Sequence, residues 1–206
     1  MNAREKKSPG DRRGGIIATA TEMFVKNGYA GTSMAQLAKA CGIQKASFYH
    51  HFASKDDLFI ACVTEGYADA VNVLIELRAD ASLSDPEKIE RAIRSLYETI
   101  VVSPTGRLSP LVAEVSRTMP SVAKGFHRDY IAHQRSALAD LVRDGVESGS
   151  FKAQDFDIFH HLVFGPIVTL SLSREMFADF DDLDDHFPVQ KLCEGHLASI
   201  MDLLAP

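Results

Sequence analysis

The sequence predicts an all-α fold, and three observations carry that prediction. Apolar residues recur at helical spacing along most of the chain. No useful run alternates polar and apolar with the period of two that a strand requires. The breaks fall at glycine or proline, at Gly28, Gly42, Pro104-Thr105-Gly106, Pro120 and Gly149. No internal repeat is visible, and 206 residues, 46% of them hydrophobic, supply a core for one large or two small domains.

Residues 1–11 are polar, contain Pro9-Gly10 and read as a flexible basic arm. From Arg12 to Asn27, Ile16, Ala20 and Phe24, with Ile17 and Met23 beside them, mark an amphipathic helix that Gly28 ends. Between Thr32 and Lys55 lie two short amphipathic segments about a glycine turn. Ser33 caps the first, and Gln36, three residues on, can return the bond to the cap backbone. Gly42 follows Cys41 where the chain must take the left-handed backbone of a helix end. Gln44 to His51 form the second segment. Together they make a helix-turn-helix, whose second helix can enter the DNA major groove. Ile16, Ala20, Phe24, Leu37, Ala38, Ile43, Phe48 and Phe52 are its expected core.

Ser54 is the expected cap of a long helix carrying Leu58, Phe59, Cys62, Val63, Tyr67, Ala70 and Leu74 to about Leu77. Asp85-Pro86 has the form of a cap followed by a first-turn proline, and Ile89, Ile93, Leu96 and Ile100 give the next buried stripe. A short helix from about Leu108 to Thr118 is followed by a long one from Ser121 to Ser148. Two more helices close the chain, near Asp155 to Phe177 and Pro188 to Leu204, with the aspartate-rich stretch 179–185 between them. The first of these is apolar over most of its circumference and must be covered on more than one side. Pro166 removes one backbone donor within it.

The net charge of -6 is unevenly spread. Residues 1–56 hold nine Lys and Arg against four Asp and Glu, a net of +5, leaving 13 basic and 24 acidic residues, or -11, for the remainder. The basic end coincides with the helix-turn-helix, which places a phosphate-attracting field where DNA would lie. Cys41, Cys62 and Cys193 are odd in number and set in apolar patterns, as buried thiols of a cytoplasmic protein would be. The N-terminus lacks the apolar core of a secretory signal, and no uninterrupted run reaches the roughly 20 apolar residues of a membrane span.

The run Tyr49-His50-His51-Phe52, followed by Lys55 and Leu58 and preceded by Leu37-Ala38 and Gly42-Ile43, resembles the signature of TetR-family transcriptional regulators. The resemblance covers roughly residues 12–58. Two positions depart from it: Gln44 stands where the family often has serine or threonine, and Cys41 where it often has alanine. It implies an N-terminal three-helix DNA-binding domain (12–54) and a C-terminal helical domain (55–206) for ligand binding and dimerisation. By resemblance, Gln44, Lys45, Ala46 and Ser47 face base edges, where amide and ammonium groups bond and Ala46 meets a thymine methyl. Tyr49, His50 and Lys55 hold phosphates, with Ser33 at a helix N-terminus that favours anions. Thr32 is a further contact position, and His51 is expected to be partly buried.

The resemblance also implies a small-molecule pocket, for which Tyr67, Tyr97, Arg117, Met119, Phe126, His127 and Tyr130 are the expected lining. It implies a homodimer formed by the last two long helices. The expected function is a ligand-responsive regulator, a repressor released from a palindromic operator by a small molecule. The alternatives are a helical adaptor binding an acidic partner, or an enzyme using His127 or His160. No nucleotide-binding glycine pattern and no catalytic motif is present, so neither an enzyme nor a cofactor is expected. Adjacent His160 and His161 diverge on a helix, His127 and His133 are wrongly spaced for one face, and the aspartates lack the pattern of a calcium loop, so no metal site is expected.

Overall fold

The structure, a computed structural model, describes residues 9–206, and side chains from Arg12 onward. The proposed arm therefore lies outside the described residues up to residue 8. All regular elements among the described residues are helical. Helix α1 (Pro9–Asn27) begins three residues before the position that periodicity marks, and buries Ile16, Ala20 and Phe24. Helix α2 (Met34–Ala40) is opened by the expected reciprocal cap: Gln36 N–H donates to the Ser33 hydroxyl, and Ser33 N–H donates to Gln36 Oε1 at 2.8 Å. Its end is a Schellman turn. Gly42, at φ +65°, donates to Lys39 O at 3.1 Å, and Ile43 donates to Ala38 O at 3.0 Å. A residue with a Cβ would be strained there, so the tight turn depends on glycine.

Helix α3 (Lys45–Tyr49) follows directly and sends Phe48 into the three-helix core, while Phe52 closes that core just beyond it. Seven of the eight expected core residues are buried, and Ile43 is half-buried against the same cluster. Helix α4 (Lys55–Ala79), capped by Ser54, leaves this unit and runs through the centre of the body. Phe59 packs edge-on against Phe24 and Tyr29, with ring centres 5.1 Å apart in each case. Below that junction α4 buries Tyr67, Ala70 and Leu74.

Helix α5 (Asp85–Tyr97) is capped by Ser84, one residue before the expected Asp85. Glu87 completes a reciprocal cap with Ser84, which leaves Pro86 in the first turn where its missing N–H costs nothing. A π turn (Glu98–Val102) and a 3₁₀ turn (Gly106–Leu108) lead into α6 (Ser109–Ser116). Gly106 allows that corner, since a Cβ there would lie 2.1 Å from Ile100 O. The expected single helix over 121–148 is instead α7 (Pro120–Phe126), a π turn (His127–Ile131) and α8 (Ala132–Glu147). The wide turn changes the phase of the buried stripe between Phe126 and Leu138, which a constant period cannot show.

Helix α9 (Phe156–Met176), capped by Asp155, and α11 (Val189–Leu204) close the chain, with the one-turn α10 (Leu183–His186) between them. By length and composition both α4 and α9 could cross a membrane. For α4, the apolar surface is explained by the helices packed around it. On α9, one stripe (Phe159, Val163, Ile167, Leu170) is buried, while Ile158, Leu162, Val168, Leu172 and Met176 are exposed.

Candidate nucleic-acid interface and effector cavity

The start of α2 and the outer face of α3 form one strip of accessible side chains. Ser33, Gln44, Lys45, Ala46, Ser47, Tyr49 and His50 are all exposed. Phe48, in their midst, is fully buried and fixes which face of this five-residue helix turns outward. Gln44 occupies the cap position without a side-chain bond to the helix amides, so its amide group stays free for another partner. Lys45 Nζ lies 6.0 Å from the Tyr49 ring, on the same side.

Lys55 is placed differently from the rest. Its Nζ donates to Tyr29 O at 3.0 Å and Thr32 O at 3.1 Å, and sits 4.0 Å from the centre of the Tyr29 ring. Two of its three ammonium protons are thus spent on the α1–α2 connection, and one remains for a phosphate. Thr32 is withdrawn from the surface, at 1% exposure, because its hydroxyl donates to Gly28 O at 2.9 Å. It cannot reach DNA as the sequence suggested. His51 is half-buried, as expected.

The body contains a cavity of about 470 Å³ bounded by α4, the first π turn and α6 to α9. Tyr67, Phe126 and Tyr130 line it, and their rings stack in series, with centres 4.6 Å apart for Tyr67–Tyr130 and 5.3 Å for Phe126–Tyr130. The other four expected lining residues lie elsewhere. Tyr97 faces α11, where its hydroxyl meets His196 Nδ1 at 3.1 Å. Arg117 and His127 are exposed. Met119 lies between the two halves of the molecule, its sulfur 3.9 Å from the Tyr29 hydroxyl.

The polar side of the cavity was not read from the sequence. Four buried side-chain atoms lack a hydrogen-bond partner among the described residues: Ser116 Oγ, Tyr130 Oη, Gln134 Nε2 and His160 Nε2. All four residues line this cavity. Each such atom costs roughly 1–3 kcal/mol when left unpaired. The signal was present in part, since Gln134 interrupts the buried stripe of α8 and His160 that of α9. Burial raises the Tyr130 hydroxyl well above its ordinary pKa, with neighbouring Tyr67 adding to the effect. Burial likewise raises Tyr67 to about 12, although Ser109, at 2.8 Å, opposes the shift. The His160 imidazole is held below its usual value by burial first and by Arg135 and His161 next, against Asp157. The cavity wall is therefore neutral at neutral pH, and no lysine or arginine lines it. Among the described residues, no three His, Cys, Asp or Glu side chains gather as metal ligands would.

A sequence profile described as "Bacterial regulatory proteins, tetR family" matches residues 16–62, from within α1 through α2 and α3 to the first turns of α4. Residues 16–62 therefore carry the DNA-binding domain that this family's profile describes. Among curated relatives, the HTH-type transcriptional repressor KstR2 of Mycobacterium tuberculosis (strain H37Rv) is 24% identical over 153 residues, 74% of this chain and 76% of its own. The HTH-type transcriptional regulator YezE of Bacillus subtilis is 26% identical over 185 residues, covering 84% and 91%. Among solved structures, a TetR-family regulator from Mesorhizobium loti superposes with a TM-score of 0.77 at 17% identity, over 98% of this chain and all of that one. FadR from Bacillus subtilis, in complex with stearoyl-CoA, gives 0.75 at 19% identity, over 92% and 98%. At such identities the structural likeness speaks for the fold alone. The chain thus joins a helix-turn-helix head to a helical body that holds a cavity.

Proposed function

We propose that this protein is a TetR-family repressor that binds a palindromic operator as a homodimer and leaves it when a small molecule fills the cavity. Residues 12–54 form the DNA-binding unit, and 55–206 the effector-binding and dimerisation unit. The observation that carries the reading is the outward face of α3, where the side chains of Gln44, Lys45, Ala46 and Ser47 are exposed and make no hydrogen bond among the described residues, while Phe48 anchors the helix. Gln44 and Lys45 supply groups for base edges, Ser47 a hydroxyl, and Ala46 a methyl contact. Tyr49, His50, Lys55 and Ser33 surround them as phosphate anchors.

The apolar residues that α9 and α11 leave exposed (Ile158, Leu162, Leu172, Met176 and Leu192) suit a second copy of the chain. A two-fold pair sets its recognition helices about 34–36 Å apart, one turn of DNA, or a multiple of that. The ligand's leverage runs through α4, which lines the cavity with Tyr67 and carries the head on Phe59, and through Met119 against Tyr29. Ligand binding favours the arrangement it fits best, and operator affinity falls by the same coupling energy. The repressor KstR2 and the acyl-CoA complex of FadR support a ligand-released repressor.

Fluorescence anisotropy on the duplex upstream of the protein's own gene, against a shuffled duplex of equal composition, tests the DNA-reading part. Binding at near-physiological salt is expected to be at least ~10³-fold tighter to a specific site than to the shuffled control. Equal affinity for every upstream fragment and the control would overturn the reading.

A further inference from the structure

Resting on the reading of the cavity as the effector site, the geometry points to the chemical class of the effector: an uncharged, mostly apolar molecule with one carbonyl or hydroxyl oxygen, held by Tyr130, Gln134 and His160. Three observations lead there. The hydrocarbon walls come from Ile100, Val112, Ile131, Phe164 and Val168, together with the aromatic series of Tyr67, Phe126 and Tyr130. They take an apolar body and have nothing to offer a polar one. The unpartnered atoms are the Tyr130 hydroxyl, the Gln134 amide nitrogen and the His160 imidazole nitrogen, with the Ser116 hydroxyl beside them. Tyr130 and Gln134 are 4% and 2% exposed, so water outside the cavity cannot satisfy them.

The unpartnered hydroxyl and amide hydrogens belong to residues of one cavity wall, and an oxygen that accepts would match them once a ligand draws them inward. A carbonyl does this alone; an alcohol accepts from Gln134 and donates to an imidazole nitrogen that lacks a proton. A carboxylate is matched less well. No lysine or arginine lines the cavity, and the nearby Arg135 is already paired with Asp157. An ionised group would therefore enter a buried site without a counter-charge. At about 470 Å³ the space holds the volume of roughly sixteen waters at ~30 Å³ each, which suits a ligand of ten to fifteen non-hydrogen atoms filling it incompletely.

Titration calorimetry with the full-length protein at pH 8, using 2-decanone, 1-decanol, decanoate and decane as probes, tests this. The ketone and the alcohol are expected to bind at least about tenfold more tightly than decanoate or decane. Gln134→Leu and Tyr130→Phe are expected to erase the preference for ketone over decane while leaving the thermal midpoint of the empty protein unchanged or higher, since each removes a polar group that has no partner. Decanoate binding as tightly as the ketone, no binding of any probe, or unaltered preference in both variants would overturn the assignment. Operator binding by the empty protein, measured alongside, reports on the DNA-reading proposal separately: its retention shows that only the ligand class is at fault.

Discussion

His196 donates its Nε2 proton to the carbonyl of Leu162 at 3.0 Å, and Leu162 is four residues before Pro166. That carbonyl would ordinarily accept from the amide at position 166, which proline lacks. With Nε2 carrying the proton, Nδ1 accepts from the Tyr97 hydroxyl at 3.1 Å. A gap in the hydrogen bonding of α9 is thus filled from α11, and the same ring ties both helices to α5. Replacing His196 by alanine is expected to destabilise the fold by about 1–3 kcal/mol in urea unfolding. The cost is expected to shrink in a Pro166→Ala background, where the helix can satisfy the carbonyl itself. Equal costs in both backgrounds would show that the bond does not compensate for proline.

Both His160 and His196 are held below the ordinary histidine pKa, chiefly by burial. Between their folded values and the unfolded value of about 6.5, the folded chain binds fewer protons than the unfolded one. Their contribution to stability is therefore complete above about pH 6.5 and lost as pH falls below it. Thermal midpoints at pH 7.5 and 5.5 are expected to drop toward acid, and His160→Gln is expected to flatten that drop. An identical slope in the variant would remove His160 from the account.

Lys55 and the α3 residues are expected to separate by type of defect. Lys55→Ala removes two bonds to the α1–α2 connection as well as a phosphate anchor. It is expected to lower stability by about 1–2 kcal/mol, two bonds of modest net worth, and to weaken binding to all duplexes alike. Lys45→Ala and Ser47→Ala touch exposed side chains and are expected to leave the melting temperature in place while changing the preferred sequence. Unfolding curves and a small panel of duplexes distinguish the two outcomes.

The exposed stripe of α9 gives a prediction about assembly. Leu172→Glu places a charge among Met176 and its apolar neighbours without entering the core, since Leu172 is 43% exposed. Sedimentation is expected to show dimers for the wild type and monomers for the variant, with operator affinity reduced at least ~100-fold because one half-site contact is lost. A dimeric variant would place the interface elsewhere.

Helix order, the Ser33 and Ser54 caps and the Schellman glycine were legible in the sequence because each depends on residues within a few positions of one another. The three-helix core was legible for the same reason: Phe24, Leu37 and Phe48 keep strict spacing. What escaped was set by partners distant in the chain. Two π turns, at 98–102 and 127–131, shift the phase of helices that read as continuous or simply ended. Lys55 looked like a surface cation, and only packing against Tyr29 and Thr32 gave it a second task. The cavity was half legible. Its aromatic residues were named from their size and type, but Ser116, Gln134 and His160 come from three separate helices, and nothing local marks their convergence. Tyr97, Arg117, Met119 and His127 fit the same composition and face other ways.

The most direct test of the account is selection of bound duplexes from a random pool at near-physiological salt, with wild-type protein and with Ser47→Ala. One palindromic motif is expected for the wild type, with half-sites a helical turn or a multiple apart, and a motif altered only at the bases facing α3 for the variant. Recovery of no motif by the wild type, or the same motif from both proteins at all positions, would contradict the claim that α3 reads the operator.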